Sequence, residues 1–506
     1  MSLTKVSSGL MKPDNNLELE YTSQLGTTSV VGAATGYVVR TNYYDANVTA
    51  GSGATFKFTG VTTLGKAGNV PDADGYFYDA VGRQFEVVGS PVNVLWFGAV
   101  GDGVSDDTAA IQAAVDSAQN TVKATFGINV PEIYFPAGTY AISTNITKKS
   151  ASWIGAGVDA TTFKWNGTAA VTAITQDATV RGGVSATTIE KMSFYDGSAK
   201  PLDWLSIPNG VFGVDFGFRL SELRFKGTTR YHLNIVGYVN AHFSNLRFDS
   251  WNSFAISITT IAGQNLSTFV LDKFTADHMA GSTAEGFIIV DNTAAVTNMG
   301  TLRICNGRYE NNAALTGRKA FIVSYSNTGD YCSWQLDNIT YQDVGNATTG
   351  DALIHRDGVA GSEKVTISNL LINSLDNIFT GTYPTDWPGQ NIPVASMTSA
   401  NIDRQVAVVI PQTSSGNNAG IEVYTRDTGS KLGYRLFRGA EGFPRYELGS
   451  DGVIKLGNGT VAPDVVLRGR QASVADATGG ATIDAEARTA INSLLARLRT
   501  HGIIAT

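Results

Sequence analysis

The sequence predicts an all-β chain whose main body is a solenoid of stacked rungs, and three observations carry that prediction. Only 16% of the 506 residues are charged, 55 are glycine, and Thr, Ser, Asn, Val and Ile recur at short intervals. That is the usage of a chain rich in strands and turns. Six-residue segments with apolar residues at their first, fourth and sixth places recur: IEKMSF ending at Phe194, LSELRF at Phe225, FSNLRF at Phe248, LDKFTA at Ala276, ICNGRY at Tyr309, LDNITY at Tyr341 and ISNLLI at Ile372. Finally, one amphipathic helix precedes these segments, and no second convincing helix follows until the C-terminal end.

The segment ends lie 23–33 residues apart. A repeat of that length, with β-forming segments and no intervening helix, means that each rung buries its apolar face against its neighbours. The phase holds across seven segments, although Ala276 and Gly307 are small where larger residues are usual.

The elements follow in order. Residues 1–90 are polar and Gly- and Thr-rich, with alternating runs such as TGYVVRTNYYD, ATFKFTG and RQFEVVG, which predict a small β region. Residues 91–382 form the solenoid. From Val92 to Ser143 the chain reads strand, Gly-Asp turn, helix, strand, with Asp106 and Asp107 at the helix start. Ala110, Ile111, Ala114, Val115 and Ala118 form a narrow apolar stripe at helical spacing, fit to cover an open sheet edge. Asp102, Asp106 and Asp107 read better as turn and cap residues than as metal ligands. The run TYPTDWPGQNIP, Thr382 to Pro393, breaks the repeat, and Tyr383 and Trp387 there belong to a binding loop or to the boundary itself. Residues 383–478 hold short β runs, and 479–506 a helix in which Ala487, Ile491, Leu494 and Leu498 follow coiled-coil spacing.

Net charge is −7 with no basic run, which gives nucleic-acid binding little support and means that an anionic polymer would need a local basic groove. The two cysteines, Cys305 and Cys332, are too few for a disulfide framework and read as free, buried thiols. The first residues lack the apolar core of a signal peptide, and no run reaches transmembrane length. Synthesis in a cytoplasm without membrane insertion is therefore expected, with something other than secretion carrying the protein outside.

The string FGAVGDGVSDDTAAIQAAV followed by IYFPAGTYAIS resembles the opening of the pectate-lyase-3 type right-handed parallel β-helix, as found in bacteriophage tailspike depolymerases. The resemblance implies a homotrimer in the virion tail, attached through its N-terminal region, that binds and cleaves a bacterial capsule or O-antigen. It also implies that the motif starts and caps the β-helix and holds no catalytic residue.

The repeat register places the candidate chemistry. If the sixth residue of each segment points inward, the next points outward, giving Tyr195, Lys226, Asp249, Asp277, Glu310, Gln342 and Asn373. Three consecutive rungs then present Asp249, Asp277 and Glu310 as candidate catalytic carboxylates. The residues before the sixth place give Arg224, Arg247 and Arg308 as candidate substrate-binding groups. At rung spacing, adjacent carboxylates would lie about 5 Å apart and alternate ones about 10 Å, near the retaining and inverting separations of glycosidases. Trp251 is a candidate sugar-stacking platform, and His278 a candidate for substrate binding or proton transfer.

Hydrolysis of a glycosidic bond fits this arrangement first. β-Elimination on a uronic acid would use the same groove, with a base at C5 and one of Arg224, Arg247, Arg308, Lys226, His278 or Tyr309 against the carboxylate; Tyr309 fits least, being inward. A non-catalytic glycan-binding adhesin, with the arginines and Trp251 as its platform, uses no acid at all. A plain solvated face with Asp and Arg paired across rungs also accounts for the column. No loop repeats Asp at Ca²⁺-ligand spacing, so no metal or cofactor is expected.

Overall fold

The computed structural model describes residues 16–27, 35–43, 53–64, 66, 72, 75–122, 131–149, 151–177, 188–197, 199–208, 216–237, 240–260, 266–278, 286–292, 299–311, 320–326, 333–343, 352–358, 364–372, 377–381, 406–409, 419–424, 432–438, 446–449, 453–456, 465–468 and 485–500. They fall into two compact units, Met1–Glu363 with Ser374–Pro384, and Lys364–Asn373 with Thr385–Thr506.

The first unit begins with a five-stranded sheet, in spatial order Asn16–Tyr21, Val38–Tyr43, Thr55–Thr62, Arg83–Val87 and Phe77–Tyr78. Its first pair is parallel and the rest antiparallel. Phe56, Phe77 and Phe85 are fully buried there, and Phe77 meets Phe97 of the following segment at 5.5 Å.

Next comes the helix α1, Thr108–Val122. It lies on the strands Val92–Asn93, Glu132–Phe135 and Ile146–Lys148 and buries Ile111, Ala114, Val115 and Ala118 against them. The apolar stripe thus covers the first strands of the solenoid, with Ala110 half-exposed at its margin. The Asp102 carboxylate accepts from Val104 N and Ser105 N, closing a turn. Asp106 accepts from Thr108 N at the helix start. Asp107 turns back instead, accepting from Val100 N at 2.6 Å and Gly101 N at 3.2 Å. All three aspartates shape the entry to the solenoid.

The repeat segments lie on strands β1 (Thr188–Asp196), β2 (Phe216–Lys226), β3 (Asn240–Asp249), β4 (Leu266–His278), β5 (Met299–Asn311) and β6 (Ser333–Asp343), each paired in parallel with the next. Strands alternating with these in the chain, from Asp203–Ile207 to Ala352–Gly358, build a second parallel sheet. The fold is a parallel β-helix.

One detail explains the first-fourth-sixth pattern, which no flat strand would produce. The third residue of each segment is left-handed: φ is 60° at Lys191, 52° at Glu222, 55° at Asn245, 55° at Lys273, 54° at Asn306 and 54° at Asn338. Each bends its rung and displaces the inward phase by one residue, so a segment is two short arms and not one strand. Asparagine suits this conformation because its amide bonds locally. The Asn amides also bond from rung to rung: Asn306 donates to Asp272 Oδ1 at 2.7 Å and Asn338 to Asn306 Oδ1 at 2.8 Å.

Inside, the sixth-place rings stack rung upon rung: Phe163 to Phe194 at 5.5 Å, Phe194 to Phe225 at 4.9 Å and Phe225 to Phe248 at 5.5 Å. Ala276 interrupts this ladder, and Phe287 from the second sheet fills the space, 5.4 Å from Phe248 and 5.7 Å from Tyr309. Gly307 has an equally local cause. The ring of Phe274, its register partner, occupies the position that a Cβ at 307 would take. Cys305 is free and buried, while Cys332 lies outside the described residues.

In the second unit, Lys364–Ile372 carries the seventh segment. Six strands, Val406–Val409, Ala419–Tyr424, Leu432–Arg438, Tyr446–Gly449, Val453–Leu456 and Val465–Arg468, form an antiparallel meander. A terminal helix, α2, spans Ala485–Thr500 and leaves Ile491 and Leu494 exposed. The Pro-rich run with Tyr383 and Trp387 lies outside the described residues, as does Asn373. Among the described residues no helix is long and apolar enough to cross a membrane.

Candidate functional site

The second arm of each rung ends on an outward residue, and backbone pairing sets these residues in one column: Lys164, Tyr195, Lys226, Asp249, Asp277, Glu310 and Gln342. Two places earlier a parallel column runs Ser193, Arg224, Arg247, Thr275, Arg308 and Thr340. The arginines therefore form an adjacent pair, a gap at Thr275, and one more.

The three carboxylates share a column but not an environment. Asp249 is 2% exposed because two guanidiniums close over it: Arg224 Nε donates to Oδ2 at 2.7 Å and Arg247 Nε to Oδ1 at 2.8 Å. Arg224 reaches on to Asp159 Oδ2 at 2.9 Å. Asp277 is mostly buried, and its nearest cation is Arg247 Nη2 at 3.6 Å from Oδ2. Its Oδ1 is buried and has no hydrogen-bond partner among the described residues. Burial, together with the Asp249 charge one rung away, holds the Asp277 carboxyl above the ordinary carboxylate range, against the opposing pull of Arg247, Arg308 and Arg224. Glu310 is ion-paired with Arg308, whose Nη2 also approaches Gln342 Oε1 at 3.4 Å.

Asp159 belongs to this network and escapes sequence reasoning, since it sits 65 residues from Arg224 outside the repeat segments. It is left-handed (φ 63°) and accepts from Ser193 Oγ at 2.9 Å and Tyr195 Oη at 3.2 Å. Partial burial pushes its pKa up, but the bonds from Ser193 and Arg224 outweigh that and hold it below the ordinary value. Tyr195 also lies beneath Arg224 and Lys226, at 5.8 and 5.2 Å from its ring.

Trp251 is corrected from platform to core. It is 0% exposed, donates from Nε1 to Gly286 O at 2.7 Å, and packs against Phe287 at 5.6 Å and Tyr309 at 6.3 Å. His278 continues β4 opposite Asn311, and its side chain lies outside the described ones. His232 is a core residue beside the Phe225–Phe248 stack, and burial pushes its pKa down to about 3, so it stays neutral.

Chemically, the column offers one carboxyl raised above the ordinary carboxylate range by burial beside one ion-paired with an arginine, a contrast that acid-base chemistry uses. Arg247 and Arg308, each with 48% of its side chain exposed, remain accessible to an anion or to sugar hydroxyls. Among the described residues no group of three His, Cys, Asp or Glu is placed to hold a metal ion.

Residues 91–215 match the family described as rhamnogalacturonase A/epimerase, pectate lyase-like. Particular relatives follow. Mannuronan C5-epimerase AlgE5 of Azotobacter vinelandii is 45% identical over 80 residues, 14% of this chain and 7% of that protein. Alginate lyase 7 of the same organism is 30% identical over 162 residues, 28% of this chain and 17% of its own. The chain thus spans less than a fifth of either relative. The tailspike protein of Acinetobacter phage vB_ApiP_P1 superposes with a TM-score of 0.45 at 14% identity, covering 88% of this chain and 89% of that one.

Proposed function

We propose that the protein is a phage tailspike that depolymerises a bacterial surface polysaccharide, capsule or O-antigen, by hydrolysis of a glycosidic bond. The observation that carries the reading is the contrast between Asp277 and Glu310, register partners on adjacent rungs. Asp277, raised in pKa and with one oxygen unpartnered, is the general acid. Glu310, ion-paired with Arg308, is the nucleophile, and a separation of about 5 Å between neighbouring rungs matches retaining geometry. Asp249, with both oxygens occupied by arginine, orients Arg224 and Arg247 and raises the Asp277 pKa; it is a positioning residue.

The test is incubation of the full chain with purified capsule or O-antigen. Cleavage is expected to release reducing ends without absorbance near 232 nm, and in both Asp277→Asn and Glu310→Gln turnover is expected to fall by about 10²–10⁴-fold with binding retained. Wild-type rates in both variants would remove this carboxylate pair from the mechanism. Binding with no loss of polymer size would leave a glycan-binding adhesin.

A second reading is β-elimination, favoured by the exposure of Arg247 and Arg308, which are placed to neutralise a uronate. Tyr309 is not its base, being buried inside the ring ladder. Absorbance near 232 nm in the products would select this reading.

The assembly belongs to the same proposal: a homotrimer in the virion tail, attached through residues 1–90. Ile491 and Leu494, exposed on α2, support a seam between copies. A monomer by light scattering, or a trimer unaffected by Ile491→Glu with Leu494→Glu, would overturn the seam.

A further inference from the structure

The outward column that carries the carboxylates is closed at its N-terminal end. Backbone pairing extends it upstream from Asp249 through Lys226, Tyr195, Lys164 and Ala141 to Asp106, on the edge strand Asp102–Asp106. On that strand the register breaks: Asp102 pairs with Thr139 and Asp106 with Ala141, so Gly103, Val104 and Ser105 stand opposite Tyr140 alone. The extra residues form a bulge.

Three observations put this bulge on the outward face. Ala141 takes an outward place in the column, yet it is fully buried. A Cβ at Gly103 would lie 3.1 Å from the methyl of Thr139, which shares the outward column of Ser193 and Arg224. Lys164 Nζ reaches across the Ala141 rung and donates to Gly103 O at 3.1 Å. The bulge is also braced from within. The Asp102 carboxylate accepts from Val104 N at 2.8 Å, Ser105 N at 2.7 Å and Ser105 Oγ at 2.9 Å. Val104 stands at the crest, 80% exposed. Along the bend side of the same stretch, Asp159 ties its own turn to Ser193, Tyr195 and Arg224. The outward surface here is a trough with one flank and one end.

We propose that the Gly103–Ser105 bulge is the end wall of the glycan-binding trough and limits the sugar residues held on the N-terminal side of the cut to about four. The inference rests on the depolymerase reading and adds how that site measures its substrate. It holds for hydrolysis and elimination alike, because it concerns where the glycan lies and not how the bond breaks. From Lys164, the first column residue past the bulge, to Asp277 there are four register steps, about 19 Å at the spacing of paired strands. One step is close to the length that a pyranose residue adds to an extended glycan. A fifth residue meets Val104 and turns away into solvent, where it gains no contact.

The test uses the full chain and oligosaccharides of graded length, made by partial acid hydrolysis of the purified capsule or O-antigen and labelled at the reducing end. Mass spectrometry of the products reads the position of each cut. On one side of the cut, kcat/KM is expected to rise about threefold or more with each residue up to about the fourth, and to change by less than about twofold with the fifth and sixth. Deleting Val104 and Ser105 leaves Gly103 alone opposite Tyr140. In that variant the fifth residue is expected to raise kcat/KM about threefold on the same side, with the other side unchanged. A wild-type gain that continues through the fifth and sixth residues on both sides overturns the wall without recourse to the variant, and so does an unchanged limit in a folded deletion variant. Cleavage of no oligosaccharide and no polymer overturns the depolymerase reading and the wall with it. Wild-type rates in Asp277→Asn with the limit unchanged overturn the catalytic assignment and leave the wall standing.

Discussion

Asp249 and Asp277 are register partners one rung apart, yet their carboxylates are opposites: both Asp249 oxygens accept from arginine Nε atoms, while Asp277 Oδ1 is buried with no partner among the described residues. Arg247 touches both, at 2.8 and 3.6 Å. If Asp277 must be protonated to act, activity falls as pH rises through its raised pKa. Arg247→Gln removes a charge that lowers this pKa and is expected to move the basic limb to higher pH. Asp249→Asn removes a charge that raises it and frees two arginines, so the limb is expected to move lower. The pH dependence of kcat/KM on purified polymer checks both; superimposable profiles would show that Asp277 is not the acid.

Gly307 and Phe274 test the packing of the solenoid. The Phe274 ring fills the volume above its own rung, so Gly307→Leu is overpacked and is expected to lose about 1–3 kcal/mol in denaturant unfolding. Adding Phe274→Leu returns the space, and the double variant is expected to recover most of that loss. Additive destabilisation would mean the two sites are independent.

Much of this was legible in the sequence, and the limits have physical causes. The column from Tyr195 to Gln342 follows from repeat phase alone, because stacked rungs convert sequence register into spatial adjacency. The place of Trp251 is not legible, because a residue just past a strand gives no sign of which way its ring turns. Asp159 lies in a turn, where no period operates. Even the left-handed bend was written in the first-fourth-sixth spacing, one residue longer than strand alternation allows.

That bend yields a stability prediction. Lys273 holds φ 55° in an exposed place where Asn245, Asn306 and Asn338 occupy the matching positions of other rungs. A lysine gains nothing locally from this conformation, whereas an asparagine tolerates it. Lys273→Asn is expected to stabilise the fold by about 0.5–1 kcal/mol, and Asn306→Leu, which also severs bonds to Asp272 and from Asn338, to cost about 1–2 kcal/mol. Denaturant midpoints at constant m-value decide both.

Asp107 ties the cap of the solenoid to pH. It is 1% exposed, and burial raises its pKa from 3.8 to about 6 despite the bonds it accepts from Val100 and Gly101. Between those two values the folded protein holds a proton that the unfolded chain has released, so this group's contribution to stability falls as pH rises from about 4 to about 6 and is level outside that window. The drop is on the order of 1–3 kcal/mol. Asp107→Asn keeps an acceptor for the two amides but does not titrate. Its stability curve is expected to run nearly parallel to wild type below pH 4 and above pH 6, with the gap between them changing only in between. A constant gap across that window would mean that Asp107 is ionised at the ordinary carboxylate pKa and that its two amide bonds offset its burial.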